Sequence, residues 1–172
     1  MSASIIKQPV ADLMNQQLIS EFGASAQYLA IAIYFDQMAL PELAGYFYNQ
    51  AEEERMHAMK FVRFLLETGA DPIIPATGEL KNDFTSPEEA VQFALTQELR
   101  VTGEINQLAT TAKAEDDHIS SSFLQWFVNE QVEEIDTMTT LLQTIRHANG
   151  NLLWVEDFVR RNPQGSGANS QA

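Results

Sequence analysis

Two residues with metal-binding chemistry stand three positions apart in Glu54-Arg55-Met56-His57. On a helix that spacing puts a carboxylate and an imidazole on one face, where both can hold one cation. Alone, such a pair is a common coincidence of solvated helices. The acids around it repeat the pattern. Glu21 precedes Glu54 by 33 residues, Glu98 precedes Gln131 by the same 33, and Glu134 follows Gln131 by three. The halves are offset by 77 residues, each with one acid on a first helix and an i, i+3 pair on the next. That is the ligand pattern of a two-metal carboxylate site inside a four-helix bundle.

Four helices must exist to present these residues. The first is expected from Pro9, where a missing amide proton costs nothing, to about Met38. Leu18, Glu21, Phe22, Ser25, Tyr28, Leu29, Ala32 and Phe35 recur along it at helical spacing. The second runs from Pro41 to about Thr68 before Gly69, with Leu43, Phe47, Gln50, Glu54, His57, Phe61, Phe64 and Leu65 inward. The short link between them makes an antiparallel pair. Ala70 to Thr85 carries no helical pattern, yet a loop of this length has a geometric use. Helices of about 28 residues are about 42 Å long, which about 16 extended residues can cross. Helices two and three can then run parallel.

Helix three opens on the capping box Ser86-Pro87-Glu88-Glu89 and runs to about Lys113, with Glu98 inward. Helix four spans about Ile119 to His147, stopped by Asn149-Gly150, with Gln131 and Glu134 inward. A fifth helix, about Asn151 to Arg161, holds Leu152, Leu153, Trp154, Val155 and Phe158, too apolar to lie free, so it should dock on a neighbour. Residues 162–172 read as a disordered tail. The fold class is therefore all-α: one domain over residues 1–172, with a bundle at about 9–147, a long crossover between helices two and three, and a short fifth helix.

Glu21, Glu54, Glu98 and Glu134 facing one interior would repel and stay protonated unless cations neutralised them. Pairing with Arg or Lys is the alternative, but basic residues are scarce at inward positions. Cysteine is absent, so ligands are limited to carboxylates, imidazoles and amides, a set that suits iron or manganese and also admits zinc. The chain carries 24 acids against 10 Lys and Arg, a formal charge of −14. It lacks the basic footprint for nucleic-acid phosphates. The excess acid either keeps the surface soluble or concentrates cations, and composition does not choose between these. Apolar residues make up 45% and mean hydropathy is −0.19. No unbroken apolar run approaches the roughly 20 residues of a membrane span, and the N-terminus does not read as a secretory signal. A cytoplasmic protein is expected.

These residues also carry a resemblance. Glu21, the pair Glu54 and His57, Glu98, and above all Phe123-Leu124-Gln125-Trp126-Phe127-Val128-Asn129-Glu130-Gln131-Val132-Glu133-Glu134 resemble the bacterial non-haem ferritins, in order from about Pro9 to Arg161. The resemblance implies a ferroxidase that oxidises ferrous iron with O2 or H2O2 and stores ferric mineral in a 24-subunit cage. It implies Glu21, Glu54 and His57 around a first iron, and Glu54, Glu98 and Glu134 around a second, with Glu54 bridging. Gln131 would orient water or oxygen nearby. A third iron position would use Glu53, Glu130, Glu133 and Glu134, although Glu53 and Glu133 also fit as ordinary solvated acids. Tyr28 would hydrogen-bond near the irons and can supply an electron, or is simply a buried tyrosine with a satisfied hydroxyl. Trp126 matches the family's redox-capable tryptophan and equally suits helix packing.

Departures carry information too. A bacterioferritin would repeat ExxH on helix four, where Gln131 and Glu134 stand, and would have methionine in place of Arg55. No haem is expected. Close relatives often continue with acids after the position of Glu134, where this chain has Ile135. The turn Glu115, Asp116, Asp117, His118 lies where ferritins build threefold entry channels, and as a solvated turn it needs no such role. His147 suits a helix C-terminus better than a ligand. Two rivals remain: a di-iron oxidase acting on an organic substrate, with a cavity beside its metals, and a DNA-protecting mini-ferritin or plain shell. The acidic surface and intra-subunit ligand set argue against the second.

Overall fold

Five α-helices follow one another in the expected order in a computed structural model that describes residues 4–163. They are α1 (Gln8–Gln37), α2 (Pro41–Glu67), α3 (Pro87–Ala114), α4 (His118–Ala148) and α5 (Leu152–Arg161). Of the tail expected at 162–172, residues 164–172 lie outside the described residues.

Each end has a local cause. Pro9 lies in the first turn of α1, and Ala39, at φ 58°, turns the chain toward α2. Gly69, at φ 79°, ends α2, and the Ala70 N–H closes back on the Leu65 carbonyl at 2.9 Å. Ser86 Oγ accepts from the Glu89 N–H at 3.1 Å, while the Glu89 carboxylate reaches back one residue further than a capping box requires, to the Thr85 N–H and hydroxyl, both at 2.6 Å. Those bonds lower the Glu89 pKa to about 2. Asn149, at φ 46°, terminates α4.

The crossover is held by two amides of α1 acting as a partner strand would. Asn15 donates to the Asp71 carbonyl at 3.1 Å and accepts from the Ile73 N–H at 2.7 Å. Gln27 donates to the Lys81 carbonyl at 2.7 Å and accepts from the Lys81 N–H at 2.9 Å. Backbone groups that a strandless segment would leave unpaired are thereby satisfied. α5 docks on α2 and α4, as its composition requires, and buries Val155, Glu156 and Val159. The Glu156 carboxylate accepts from the Glu42 and Leu43 N–H groups at 2.9 and 2.8 Å, which caps α2 from the far end of the sequence.

The apolar core is split in two. One cluster runs along α1 from Ala24 to Phe35, through Leu43, Phe47 and Ala51 of α2, Ala90 to Ala94 of α3, Met138 to Ile145 of α4, and α5. The other takes Val10 to Leu18, Ala58 to Leu65, Val101 to Ala112, and Leu124 and Phe127. Both clusters stop short of the same level on all four long helices, and the expected acids, His57 and Gln131 occupy that interval, while Tyr28 belongs to the first cluster. Leu29, expected inward, is 46% exposed, because the α1 face tracks 3.6 residues per turn through Gln27, Tyr28, Ile31 and Ala32. By length and composition alone α1 is apolar enough to cross a membrane, with an 18-residue stretch of mean hydropathy 1.2, contrary to the expectation that no segment approaches one. Here half of that stretch is buried in the bundle, and α1 carries the buried Gln17, Glu21 and Gln27.

Candidate metal centre

Between the two apolar clusters lie Glu21 from α1, Glu54 and His57 from α2, Glu98 from α3, and Gln131 and Glu134 from α4, all buried. His57 Nδ1 is 3.4 Å from Glu54 Oε2 and 3.9 Å from Glu21 Oε2. These three residues offer one ligand atom each within 4.8 Å of one another, close enough to share a cation. Glu98 comes from α3. Its Oε1 accepts from the Tyr28 hydroxyl, and its Oε2 accepts from Gln131 Nε2 at 3.3 Å. Gln131 Nε2 also donates to Thr102 Oγ1 at 3.1 Å, and the Thr102 hydroxyl donates to the Glu98 carbonyl at 2.8 Å.

Charge is the defining property of this layer. Burial, then the Glu54 carboxylate, pushes Glu21 well above the ordinary carboxylate value. Burial, then Glu98 and Glu134, does the same to Glu54, and burial, then Glu98 and Glu53, does it to Glu134. Burial also raises Glu98, opposed by its bonds from Tyr28 and Gln131. Burial, followed by the Glu98 charge, raises the Tyr28 phenol. No Lys or Arg is buried beside these acids among the described residues. The donor set fits divalent cations of oxygen-preferring chemistry, because only a nearby positive charge lets such acids ionise together.

A second acidic group adjoins the first. Glu130, half-buried, brings Oε1 to 3.9 Å from His57 Nε2, and His57, Glu130 and Glu134 also offer ligand atoms within 4.8 Å of one another. Glu53 is held by Gln50 Nε2 at 2.6 Å, and Glu133 is exposed. Burial raises Glu53 and Glu130, each opposed by His57 and pushed further by a neighbouring acid. His57 thus presents its two ring nitrogens to two different acid groups.

Other expected residues find mixed settings. Trp126 packs edge-on to His57 at 5.3 Å between ring centroids and carries the Lys60 ammonium 3.9 Å above its own ring. In the acidic turn, Asp117 is buried: its Oδ1 caps α4 through the Ser120 N–H at 2.9 Å, and its Oδ2 accepts from the Lys7 N–H at 2.9 Å. It serves the fold, while Glu115, Asp116 and His118 are exposed. Ile135 is half-buried, and His147, in the last turn of α4, is exposed.

Sequence reasoning gave no role to Gln17, Thr102 or Lys60. Gln17 lies one turn before Glu21 on the same apolar stripe, and its Nε2 donates to Glu21 Oε1 at 2.8 Å. A polar residue on a core face was the available signal.

A profile of the ferritin-like domain family matches residues 11–148. Ferritin BfrB of Mycolicibacterium smegmatis is 47% identical over 160 residues, which cover 93% of this chain and 88% of that protein. A bacterial non-heme ferritin of Staphylococcus aureus is 34% identical over 130 residues, 76% of this chain and 78% of its own. Among solved structures, an open pore ferritin from Archaeoglobus fulgidus superposes with a TM-score of 0.87 at 30% identity, over 90% of this chain and 96% of that one.

Proposed function

The chain belongs to the ferritin-like family, and from that premise we propose that it is an iron-storage ferritin with ferroxidase activity. The observation that carries the proposal is the layer of four buried acids and one imidazole, set at one level between two apolar clusters, whose repulsion cations relieve. Ferrous iron is the substrate. With oxygen, two Fe(II) and two protons give two Fe(III) and hydrogen peroxide. With peroxide, two Fe(II) and two protons give two Fe(III) and two waters.

Glu21, Glu54 and His57 take the first iron, and Glu98 and Glu134 take the second, with Glu54 between them. The two positions are inequivalent, since one has an imidazole and the other carboxylates alone. Gln131, oriented by Thr102, aims its amide at the pair. Tyr28 is the better electron donor of the two candidate aromatics: its proton has an acceptor in Glu98, whereas the Lys60 charge over Trp126 opposes loss of an electron there. Glu53, Glu130, Glu133 and Glu134 form a third position from which iron passes onward. Ferric product accumulates inside a 24-subunit cage in the cytoplasm, with no haem.

An organic-substrate oxidase would need a cavity beside the acids. A cavity of about 240 Å³ is lined by Lys60, Arg63, Phe64, Glu67, Phe123, Trp126 and Phe127 and by none of the carboxylates of the layer. The test is Glu54→Ala: the fast aerobic oxidation of ferrous iron should disappear, and an unchanged rate sinks the ferroxidase reading.

A further inference from the structure

Gln17 is 3% exposed, and its Nε2 donates to Glu21 Oε1 at 2.8 Å. Once a bound cation ionises Glu21, only the amide nitrogen can face its oxygen, because the amide oxygen would meet repulsion there. The other Glu21 oxygen, Oε2, is buried without a hydrogen-bond donor and lies 3.9 Å from His57 Nδ1, within the group formed with Glu54. One carboxylate therefore has one oxygen committed and one left facing the candidate cation position. Glu98 differs, since both of its oxygens have donors, Tyr28 on one and Gln131 on the other.

We propose that Gln17 is a positioning residue that makes Glu21 a one-oxygen ligand at the first iron position, by holding Oε1 back and presenting Oε2. The inference rests on the metal-centre reading above. Packing alone does not call for an amide here: Met14 and Leu18 share its buried face, and the Glu21 bond is what compensates burial of the polar group. Partners of this kind orient ligands, and removing them typically weakens metal binding about 10- to 100-fold. With the amide gone, Glu21 is free to rotate and chelate through both oxygens, which raises the coordination number at that position.

Cobalt(II) is a suitable probe, since its visible absorption reports coordination number and it resists the oxidation that iron undergoes. Wild-type apoprotein should bind two equivalents per chain with distinguishable spectra. Gln17→Leu and Gln17→Met, similar in size and without a donor, should bind the first equivalent about tenfold more weakly and with lower absorption intensity. The second equivalent should keep its spectrum. If either variant has wild-type helicity and gives the wild-type first-equivalent spectrum and affinity, the role of Gln17 is overturned, even if stability has changed. A wild-type cobalt spectrum that Glu54→Ala leaves untouched overturns the metal-centre reading itself, an outcome distinct from failure at Gln17.

Discussion

Replacing Glu54 by Gln should stabilise the metal-free protein while abolishing its stabilisation by metal. Glu54 is 2% exposed, and burial, then the Glu98 and Glu134 carboxylates, raises its pKa well above the ordinary 4.5. A carboxyl whose folded-state pKa exceeds its unfolded value contributes its stability in full below the unfolded value, here pH 4.5, and loses it as pH rises through the folded value. At pH 8 the metal-free wild type therefore holds a buried acid against its preference. Gln keeps the shape and cannot ionise. A gain on the ordinary scale of a single substitution, about 1–3 kcal/mol, is expected at pH 8, with little at pH 5. For chains of this size, 1 kcal/mol moves the midpoint by about 2–4 °C. Calorimetry of chelator-treated protein at both pH values should then show Glu54→Gln melting about 2–12 °C above wild type at pH 8. Added zinc should raise the wild-type midpoint and leave the variant nearly where it was. A lower metal-free midpoint for Glu54→Gln at pH 8, or a difference equal at both pH values, would refute the charge-repulsion reasoning.

Tyr28→Phe removes the donor to Glu98 Oε1, a bond that competes with metal at the second position. The second equivalent of zinc should bind up to about tenfold more tightly by titration calorimetry, and weaker binding would contradict the competition. Glu130→Gln removes the charge 3.9 Å from His57 Nε2 while leaving the buried layer intact. The first fast phase of iron oxidation should persist and its recovery between successive iron additions should slow; recovery at the wild-type rate would show that Glu130 plays no part in onward transfer. Glu156→Gln weakens the cap that α5 places on α2. A loss of about 1–2 kcal/mol and faster proteolysis near Asn149-Gly150 are expected, and unchanged cleavage would mean that α5 is held by its apolar contacts alone.

The layer of acids was legible because metal ligands must recur at helical spacing, and Glu21, Glu54, His57, Glu98, Gln131 and Glu134 keep that spacing on helices whose ends Pro41, Ser86 and Gly150 mark locally. What stayed hidden depends on distance along the chain or on rotation about a helix axis. Glu156 caps a helix that starts more than a hundred residues earlier, which no local pattern records. Asp117 is indistinguishable in sequence from its exposed neighbours Glu115 and Asp116, and only the folded turn commits it to two backbone amides. Spacing that drifts from the true helical period puts Leu29 inward, whereas the folded helix leaves it 46% exposed. Gln17 was visible as a polar residue on an apolar face, but its meaning required knowing which Glu21 oxygen it meets.

The most direct test is to mix metal-free protein with ferrous iron under oxygen in a stopped-flow spectrophotometer and count the irons oxidised per chain in the fast phase. A paired centre predicts two, with the count falling to none in Glu54→Ala. A wild-type fast phase that consumes no iron, or one iron per chain at saturation, contradicts the paired ferroxidase centre.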